Sequence, residues 1–324
     1  MIGHSRIAGG LLAALAIGAP ANAQSTYPSR PIQLVVPYGP GGVADVGMRI
    51  MAEKLSLRLK QQVVVENRPG AGGIVAAKAV ATAAPDGYNV LMTGNNNAIA
   101  VALFKSLPYD ILKDFASTST VSFFDLLIVA NAESPLKTIQ DVIAAAKANP
   151  GKLNIGTINP GSTQNLAAEL FRNVAGIQAT VVPFRTSSDM ATALLRGDLD
   201  VMFEFFTAAH GLLADKKIVA LVSTGPKRSA YLPQVPTARE AGIKDYEVLS
   251  WNGISVPAAT PKPVVDTLVK GINDVLPDPS IQERAKALGM DMRGGTPAEM
   301  DKRMKDDIAK WGAVIEKAGI QKRD

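Results

Sequence analysis

Four segments of this 324-residue chain combine glycines and small polar side chains in the way that anion-binding loops do. Each follows an apolar, β-rich run and precedes a helical pattern. At such positions free backbone N–H groups and the helix dipole favour negative charge. The segments are residues 37–45 (PYGPGGVAD), 93–98 (TGNNNA), 159–165 (NPGSTQN) and 183–189 (PFRTSSD). The chemistry that they offer is the binding of an anion.

The first two segments supply mainly backbone amides and carboxamides. The N–H groups of Gly41, Gly42 and Val43 can approach a ligand closely because glycine has no side chain. Asp45 is either part of this loop or an acid in the first turn of the next helix. Asn95 and Asn96 are candidate ligand contacts, although asparagine is also an ordinary turn residue.

The other two segments add hydroxyl groups and a cation. Ser162 is a candidate helix N-cap, and the polar groups of Ser162, Thr163 and Gln164 are suited to hold a carboxylate. In the last segment, Arg185 offers the forked donor geometry that matches a carboxylate. The alternative is an arginine that is simply solvated on the surface.

The sequence lacks the residues that most enzymes and metal sites need. It has no cysteine and only two histidines, His4 and His210. It contains no nucleophile elbow, no phosphate-binding P-loop and no HExxH zinc motif, and its first glycine loop does not have the dinucleotide spacing. We therefore predict no catalytic residues, no metal and no cofactor.

The charge pattern argues against a nucleic-acid partner. The net charge is +5, with 34 basic and 29 acidic residues. The basic residues are scattered, and the densest clusters are the pairs Lys216/Lys217 and Lys227/Arg228. A polyanion groove needs a more concentrated patch, so the charge indicates at most a general bias towards anionic solutes.

The first 23 residues predict export. Arg6 precedes an apolar stretch over residues 7–18, and Ala-Asn-Ala at 21–23 is a typical cleavage site. No second apolar run approaches the roughly 18 to 20 residues that cross a bilayer. We therefore expect residues 1–23 to be a cleaved signal peptide and the mature chain to be a soluble periplasmic protein.

After this leader, short apolar runs alternate with helical patterns. Strands are predicted at 32–36, 62–66, 89–93, 126–130, 153–157, 180–182, 201–203 and 219–223, and helices at 44–59, 74–83, 139–148, 166–175 and 189–195. This alternation predicts an α/β fold in which helical crossovers join parallel strands.

Longer stretches of the sequence resemble the substrate-binding proteins of tripartite tricarboxylate transporters, also called the Bug family. They are YPSRPIQLVVPYGPGGVADVGMR, VVVENRPGAGGIVAAKAVATAAPDGYNVLM, SLPYD, VPFRTSSDMATALLRGDLDVMF and VPTAREAGIKDYEVLSWNGISVPAATP, which occur in the family's order. The resemblance covers essentially the whole mature chain. It implies a type II periplasmic-binding-protein fold with a ligand cleft between two α/β domains.

The resemblance also implies a function and partners. The ligand would be a small carboxylate (a di- or tricarboxylate, an amino acid or an aromatic acid), captured by domain closure and delivered to the membrane permease. We expect domain 1 to comprise residues 24–124 and 250–324, domain 2 to comprise 125–249, and the protein to be a monomer.

Family features carry over to some positions and not to others. The loop from Tyr38 to Asp45 matches the family's ligand loop, where amides contact the carboxylate, often through water. Gly161-Ser162 matches too, but the histidine common near Gln164 is missing. Phe184-Arg185-Thr186 replaces the usual tyrosine and glycine, and Glu204 replaces an aspartate. We hypothesise that Arg185 adds a second anionic anchor and that Phe205 and Phe206 suit an apolar ligand group.

Two other functions remain open at this point. A receptor that feeds a sensor kinase would have the same pocket and would differ only in its partner surface. An exported hydrolase is the remaining alternative, and His210 would have to serve as its base.

Overall fold

The computed structural model describes residues 27–324, so the predicted signal peptide lies outside the described residues. The strands are β1 (Ile32–Val36), β2 (Val63–Asn67), β3 (Asn89–Gly94), β4 (Phe115–Asn131), β5 (Asn154–Ile158), β6 (Thr180–Phe184), β7 (Val201–Phe205), β8 (Ile218–Ser223), β9 (Leu249–Pro257) and β10 (Asp291–Met292). The helices are α1 (Val43–Leu59), α2 (Ile74–Ala81), α3 (Asn95–Leu103), α4 (Ile139–Ala148), α5 (Thr163–Ala175), α6 (Ser187–Arg196), α7 (Phe206–Ala214), α8 (Lys262–Val275), α9 (Pro279–Ala287) and α10 (Pro297–Lys317).

The strands follow the order β2-β1-β3-β9-β4-β7-β5-β6, with β8 and β10 also pairing with β4. The first three strands are mutually parallel, and so are β5, β6 and β7. The prediction of parallel strands is wrong for β4 and β8, which pair antiparallel, as does β9, a strand that the sequence analysis did not predict. The cause is topological. The chain leaves the first group of strands along β4 and returns along β9, so these two neighbours run in opposite directions.

Strand pairing separates two parts of the molecule. Up to Asp125, β4 pairs with β9, whereas from Leu126 onwards it pairs with β7 and β8. We call residues 27–124 and 250–324 lobe 1 and residues 125–249 lobe 2. The assignment of folding domains with these boundaries remains a prediction.

Separate apolar cores hold the helices on the sheets. In lobe 1, Met48 of α1 and Ile272 of α8 pack with Leu34 of β1, and all three are fully buried. A second core joins α3 and α10 to lobe 2, where the ring of Phe171 lies 5.8 Å from Phe203. Burial of large side chains at both sites fixes the helices that begin beside the cleft.

Within residues 27–324, no helix has both the length and the apolar character that a bilayer crossing requires.

Candidate ligand cleft

The strand register brings the carboxyl ends of the two parallel strand groups towards each other. Gly94, at the end of β3, pairs with Asn252, which pairs with Ser122 of β4. Phe205, at the end of β7, pairs with Leu126 of the same strand. Ser122 and Leu126 are four residues apart along β4, a separation of about 13 Å. This spacing suits a small molecule held between the two lobes.

Asp45 organises the glycine loop of lobe 1. Its side chain is 1% exposed and accepts hydrogen bonds from the Gly41 N–H (2.9 Å) and from Nε of Arg49 (3.1 Å). Nδ2 of Asn67 donates to the same carboxylate (2.7 Å) and also to the carbonyl of Tyr38 (2.9 Å). Asp45 is therefore a structural acceptor that holds the glycine loop in place, and the sequence analysis missed its two side-chain partners, Arg49 of α1 and Asn67 at the end of β2.

The charge of Asp45 is compensated within lobe 1. Burial alone would raise the pKa of Asp45, but hydrogen bonds from Arg49, Gly41 and Asn67 outweigh burial and hold the pKa below its ordinary value. Because Arg49 forms an ion pair with this carboxylate, the loop carries no uncompensated negative charge.

The helix after this loop begins without a side-chain cap. Gly42 is the N-cap of α1, and no side chain accepts a hydrogen bond from the first turn. Gly41 has φ = 86°, a conformation that favours glycine. The first amides of α1, which include Val43, are therefore available to an anion, and Tyr38 beside them is 38% exposed.

The three asparagines at 95–97 begin a helix, although their composition is typical of a turn. Asn95 and Asn96 are the first residues of α3, whose N-cap is Gly94. Asn95 is 3% exposed, and neither atom of its carboxamide has a hydrogen-bond partner among the described residues. Asn96 donates to the Gly72 carbonyl at 3.4 Å. A buried carboxamide without partners is costly unless something else satisfies it, so Asn95 is the stronger candidate contact.

In lobe 2 the predicted hydroxyl contacts serve as helix caps. The Ser162 hydroxyl accepts the Asn165 N–H at 3.1 Å and caps α5. The Thr186 hydroxyl accepts the Asp189 N–H at 3.1 Å and caps α6. Thr163, the first residue of α5, is half-buried. Both hydroxyls already accept a hydrogen bond from the first turn of their own helix. The groups that remain available to a ligand at these helix starts are therefore mainly backbone amides.

Gln164 and Glu204 are brought together, although 40 residues separate them in sequence. Nε2 of Gln164 donates to the Glu204 carboxylate at 3.1 Å, and both side chains are buried. Each side chain therefore satisfies part of the hydrogen-bonding capacity of the other, whereas the sequence analysis predicts that each contacts the ligand.

The remaining predicted residues line the same loops. Arg185 is exposed and has no ion pair among the described residues, while Phe184 is half-buried at the end of β6. The ring of Phe205 lies 5.1 Å from Phe124 at the crossing between the lobes. Phe206 instead packs on Tyr231, with ring centroids 4.4 Å apart, so its hypothesised role at the ligand is not supported by its position.

The lobes are in contact at two places besides the strand crossings. At one, Arg323 donates to the carbonyl of Pro160 at 3.1 Å. At the other, the Thr207 hydroxyl donates to the carbonyl of Leu288 at 2.6 Å, and Phe206 packs against Gly289. These contacts would have to break for the lobes to separate.

A separate cavity of about 370 Å³ lies under α10, lined by residues that include Thr120, Phe123 and Arg303. Several of its charges are paired locally, as in Lys302–Asp306 (2.6 Å). It does not include the loops at the strand ends, so we do not assign the ligand to it. Across residues 27–324, no group of histidine, aspartate and glutamate side chains is placed to hold a metal.

A two-lobed α/β protein with helix N-termini on both sides of a cleft has the architecture of a type II periplasmic solute-binding protein. A family model described as tripartite tricarboxylate transporter family receptor matches residues 47–320, and the chain belongs to this family.

Relatives and solved structures agree with this assignment. Protein BugT of Bordetella pertussis is 32% identical over 317 residues, which are 97% of this chain and 97% of that protein. The structure of R. palustris Rpa4515 with adipate is 31% identical with a TM-score of 0.81, covering 91% of this chain and 99% of that one. MatC from Rhodopseudomonas palustris with bound malate is 29% identical with a TM-score of 0.76, covering 89% and 100%.

The protein is therefore a solute-binding receptor and not an enzyme. The fold expected from the resemblance, two α/β domains with a cleft between them, is confirmed.

Proposed function

We propose that this receptor captures a small carboxylate between its lobes, in the periplasm after removal of residues 1–23, and delivers it as a monomer to a tripartite tricarboxylate-type permease. The observation that carries the proposal is in lobe 1. Among residues 27–324, the N-termini of α1 and α3 have no side-chain cap from their N-cap residues, and buried Asn95 has no partner for its carboxamide. These are donors that an anion can satisfy.

Electrostatics support a carboxylate at this place. The acid nearest to the α1 N-terminus, Asp45, is already compensated by Arg49, so it does not repel a second anion strongly. The solved relatives contain adipate and malate, both of which are carboxylates. In the receptor that we propose, the ligand carboxylate contacts the amides of Gly42 and Val43 and the start of α3.

Domain closure follows from contacts with both lobes. A ligand held by lobe 1 alone would bind the open and closed forms equally and would not change their populations. Amides of α5 and α6 in lobe 2 complete the site only when the lobes meet, so the ligand stabilises the closed form. The closed form is then the one that the permease recognises.

A thermal-shift and calorimetry screen tests the proposal. The panel contains mono-, di- and tricarboxylates, amino acids and aromatic acids, and each acid is paired with its neutral methyl ester as a control. At 100 times its Kd, a specific ligand should stabilise the protein by about 2.7 kcal/mol, whereas its ester should not. The proposal fails if no acid stabilises the protein or if acid and ester act equally.

The Asn95→Ala variant separates ligand contact from stability. We expect its affinity for the best acid of the panel to fall about tenfold, as for a lost hydrogen bond to a charged group. The free energy of unfolding of the unliganded protein should change by less than about 0.5 kcal/mol, because no hydrogen bond within the protein is lost.

Asn97→Ala is the matched comparison on the same helix. Asn97 accepts the Gly94 N–H at 3.1 Å, so its truncation should lower the free energy of unfolding by about 1 kcal/mol. Urea denaturation and calorimetry on both variants provide the two numbers. A stability loss in Asn95→Ala with unchanged affinity would show that Asn95 is structural.

A further inference from the structure

Glu204 occupies the place in lobe 2 where an anion would otherwise bind. Its side chain is 1% exposed, and its Oε1 accepts hydrogen bonds from Nε2 of Gln164 (3.1 Å) and from the N–H of Phe205 (2.7 Å). Its Oε2 accepts the Ser187 hydroxyl at 2.5 Å. Gln164 and Ser187 lie in the first turns of α5 and α6, and Phe205 is the N-cap of α7. The protein's own carboxylate thus lies among the N-termini of three helices.

The hydrogen bonds of Glu204 suit a carboxylate. The Phe205 N–H and Nε2 of Gln164 both donate to Oε1, and the Ser187 hydroxyl lies 2.5 Å from Oε2. Burial holds the pKa of Glu204 above its ordinary value, and the bonds from Ser187, Phe205 and Gln164 offset that rise only in part. No cation forms an ion pair with it in the described part of the chain. In its ionised form, the group is a buried negative charge compensated by dipoles alone.

The two sides of the cleft therefore differ in what they can accept. In lobe 1, Arg49 compensates Asp45, and the amides of α1 and α3 have no capping side chain. In lobe 2, Gln164, Ser187 and Phe205 already donate to Glu204. A second anion there would find these donors occupied and would face a like charge in a poorly solvated site.

The surface beside Glu204 is apolar. Phe205 follows it directly and packs edge-on against Phe124, with ring centroids 5.1 Å apart. This pair lies where the chain crosses between the lobes, and Leu126, which pairs with Phe205, is about 13 Å along β4 from Ser122, which is in register with the end of β3. An apolar group of the ligand can contact these rings while its carboxylate contacts lobe 1.

We propose that the ligand is a monocarboxylate whose far end, facing lobe 2, carries no negative charge, and that Glu204 excludes a second carboxylate there. This inference rests on the proposed function and narrows its substrate class. Arg185 provides the competing expectation, since an exposed arginine that forms no ion pair within residues 27–324 can hold a second carboxylate.

Charge-matched ligand pairs test the inference by calorimetry. The probes are hexanoate against adipate, benzoate against terephthalate, and butyrate against succinate, each measured with the wild-type protein and with Glu204→Gln. For the pair that binds best, wild type should bind the monocarboxylate at least tenfold more tightly. Glu204→Gln should reduce this preference to less than threefold, because it removes the repelling charge and keeps the shape.

Two control variants complete the design. Glu133→Gln removes an exposed acid elsewhere in lobe 2 and should leave the preference unchanged. Arg185→Ala should also leave it unchanged. If Glu204→Gln does not fold, the wild-type preference alone still decides whether the ligand is a monocarboxylate.

The possible failures are distinguishable. If a dicarboxylate binds more tightly than the monocarboxylate of its pair, this inference is overturned and the proposed function stands. The contradiction is strongest if the affinity for that dicarboxylate falls in Arg185→Ala. A preference that persists in Glu204→Gln shows that Glu204 does not cause it and overturns the assignment. If no member of any pair binds and no acid of the wider panel binds, the proposed function fails together with the inference.

Discussion

Asp45→Ala is expected to lower affinity for the best carboxylate of the panel about 100-fold and to lower the free energy of unfolding by about 3 kcal/mol. The carboxylate is 1% exposed and is the shared acceptor of Gly41, Arg49 and Asn67. Without it, the loop from Tyr38 onwards loses the bonds that hold it over the α1 N-terminus. Calorimetry and urea denaturation measure the two losses.

Asp266→Ala is the matched control. Asp266 also forms an i,i+4 pair with a cation, Lys262, at 2.7 Å, but the carboxylate is 59% exposed. Its removal should change the free energy of unfolding by no more than about 0.5 kcal/mol and should not affect affinity. Equal effects of the two substitutions would contradict the organising role of Asp45.

The effect of Asp45 should also depend on pH. Its pKa is lower in the folded protein than its ordinary value. Protonation therefore favours the unfolded state, and the stabilisation is present above the unfolded pKa of about 4 and is lost as pH falls through the folded value. The stability difference between wild type and Asp45→Ala should be constant above about pH 5 and should shrink below about pH 4. A constant difference down to pH 2 would contradict this account.

Local patterns predicted the elements of the fold better than their arrangement. The IQLVV run, its glycine loop and the following helix are all found within one residue of their predicted limits. Strand β9 and the first half of β4 were not predicted as strands, and their pairing depends on how the chain passes between the lobes. Periodicity along the chain carries no such information.

In the candidate site, too, local features could be predicted from the sequence and long-range contacts could not. The strand ends and helix starts around the four predicted segments follow from local features of the sequence, whereas ligand contact by these segments stays a prediction. The sequence did not distinguish a side chain that faces the ligand from one that faces the protein. Gln164 and Glu204 bond to each other across 40 residues, and Asn67 reaches Asp45 across 22. Such long-range pairs decide which donors remain free, and only the folded structure shows them.

Gly289 provides the strongest test of domain closure. It lies in lobe 1 just after α9 with φ = 68°, and a Cβ added there would lie 2.5 Å from Cδ1 and 2.8 Å from Cβ of Phe206 in lobe 2. Neither atom can move far, because Phe206 is 7% exposed and is the first residue of α7. Gly289→Ala should therefore penalise the closed form by about 2 kcal/mol.

That penalty should appear as an affinity loss of about 30-fold, because only the closed form presents both halves of the site. Scattering profiles should also show a more expanded protein at saturating ligand than for wild type. Gly289 is not one of the predicted ligand residues, but Phe206 directly follows Glu204 and Phe205. The scattering measurement therefore separates a loss of closure from a local disturbance of these neighbours.

Gly319→Ala separates closure from backbone strain. Gly319 follows α10 with φ = 65°, and its N–H donates to the carbonyl three residues earlier, as does that of Gly289. A Cβ on Gly319 meets no atom within 4 Å. Both substitutions should lower the free energy of unfolding by about 1 kcal/mol through the left-handed backbone, but only Gly289→Ala should weaken binding. Equal affinities in the two variants would mean that contact between the lobes at Phe206 is not required for capture, and that lobe 1 alone supplies the affinity.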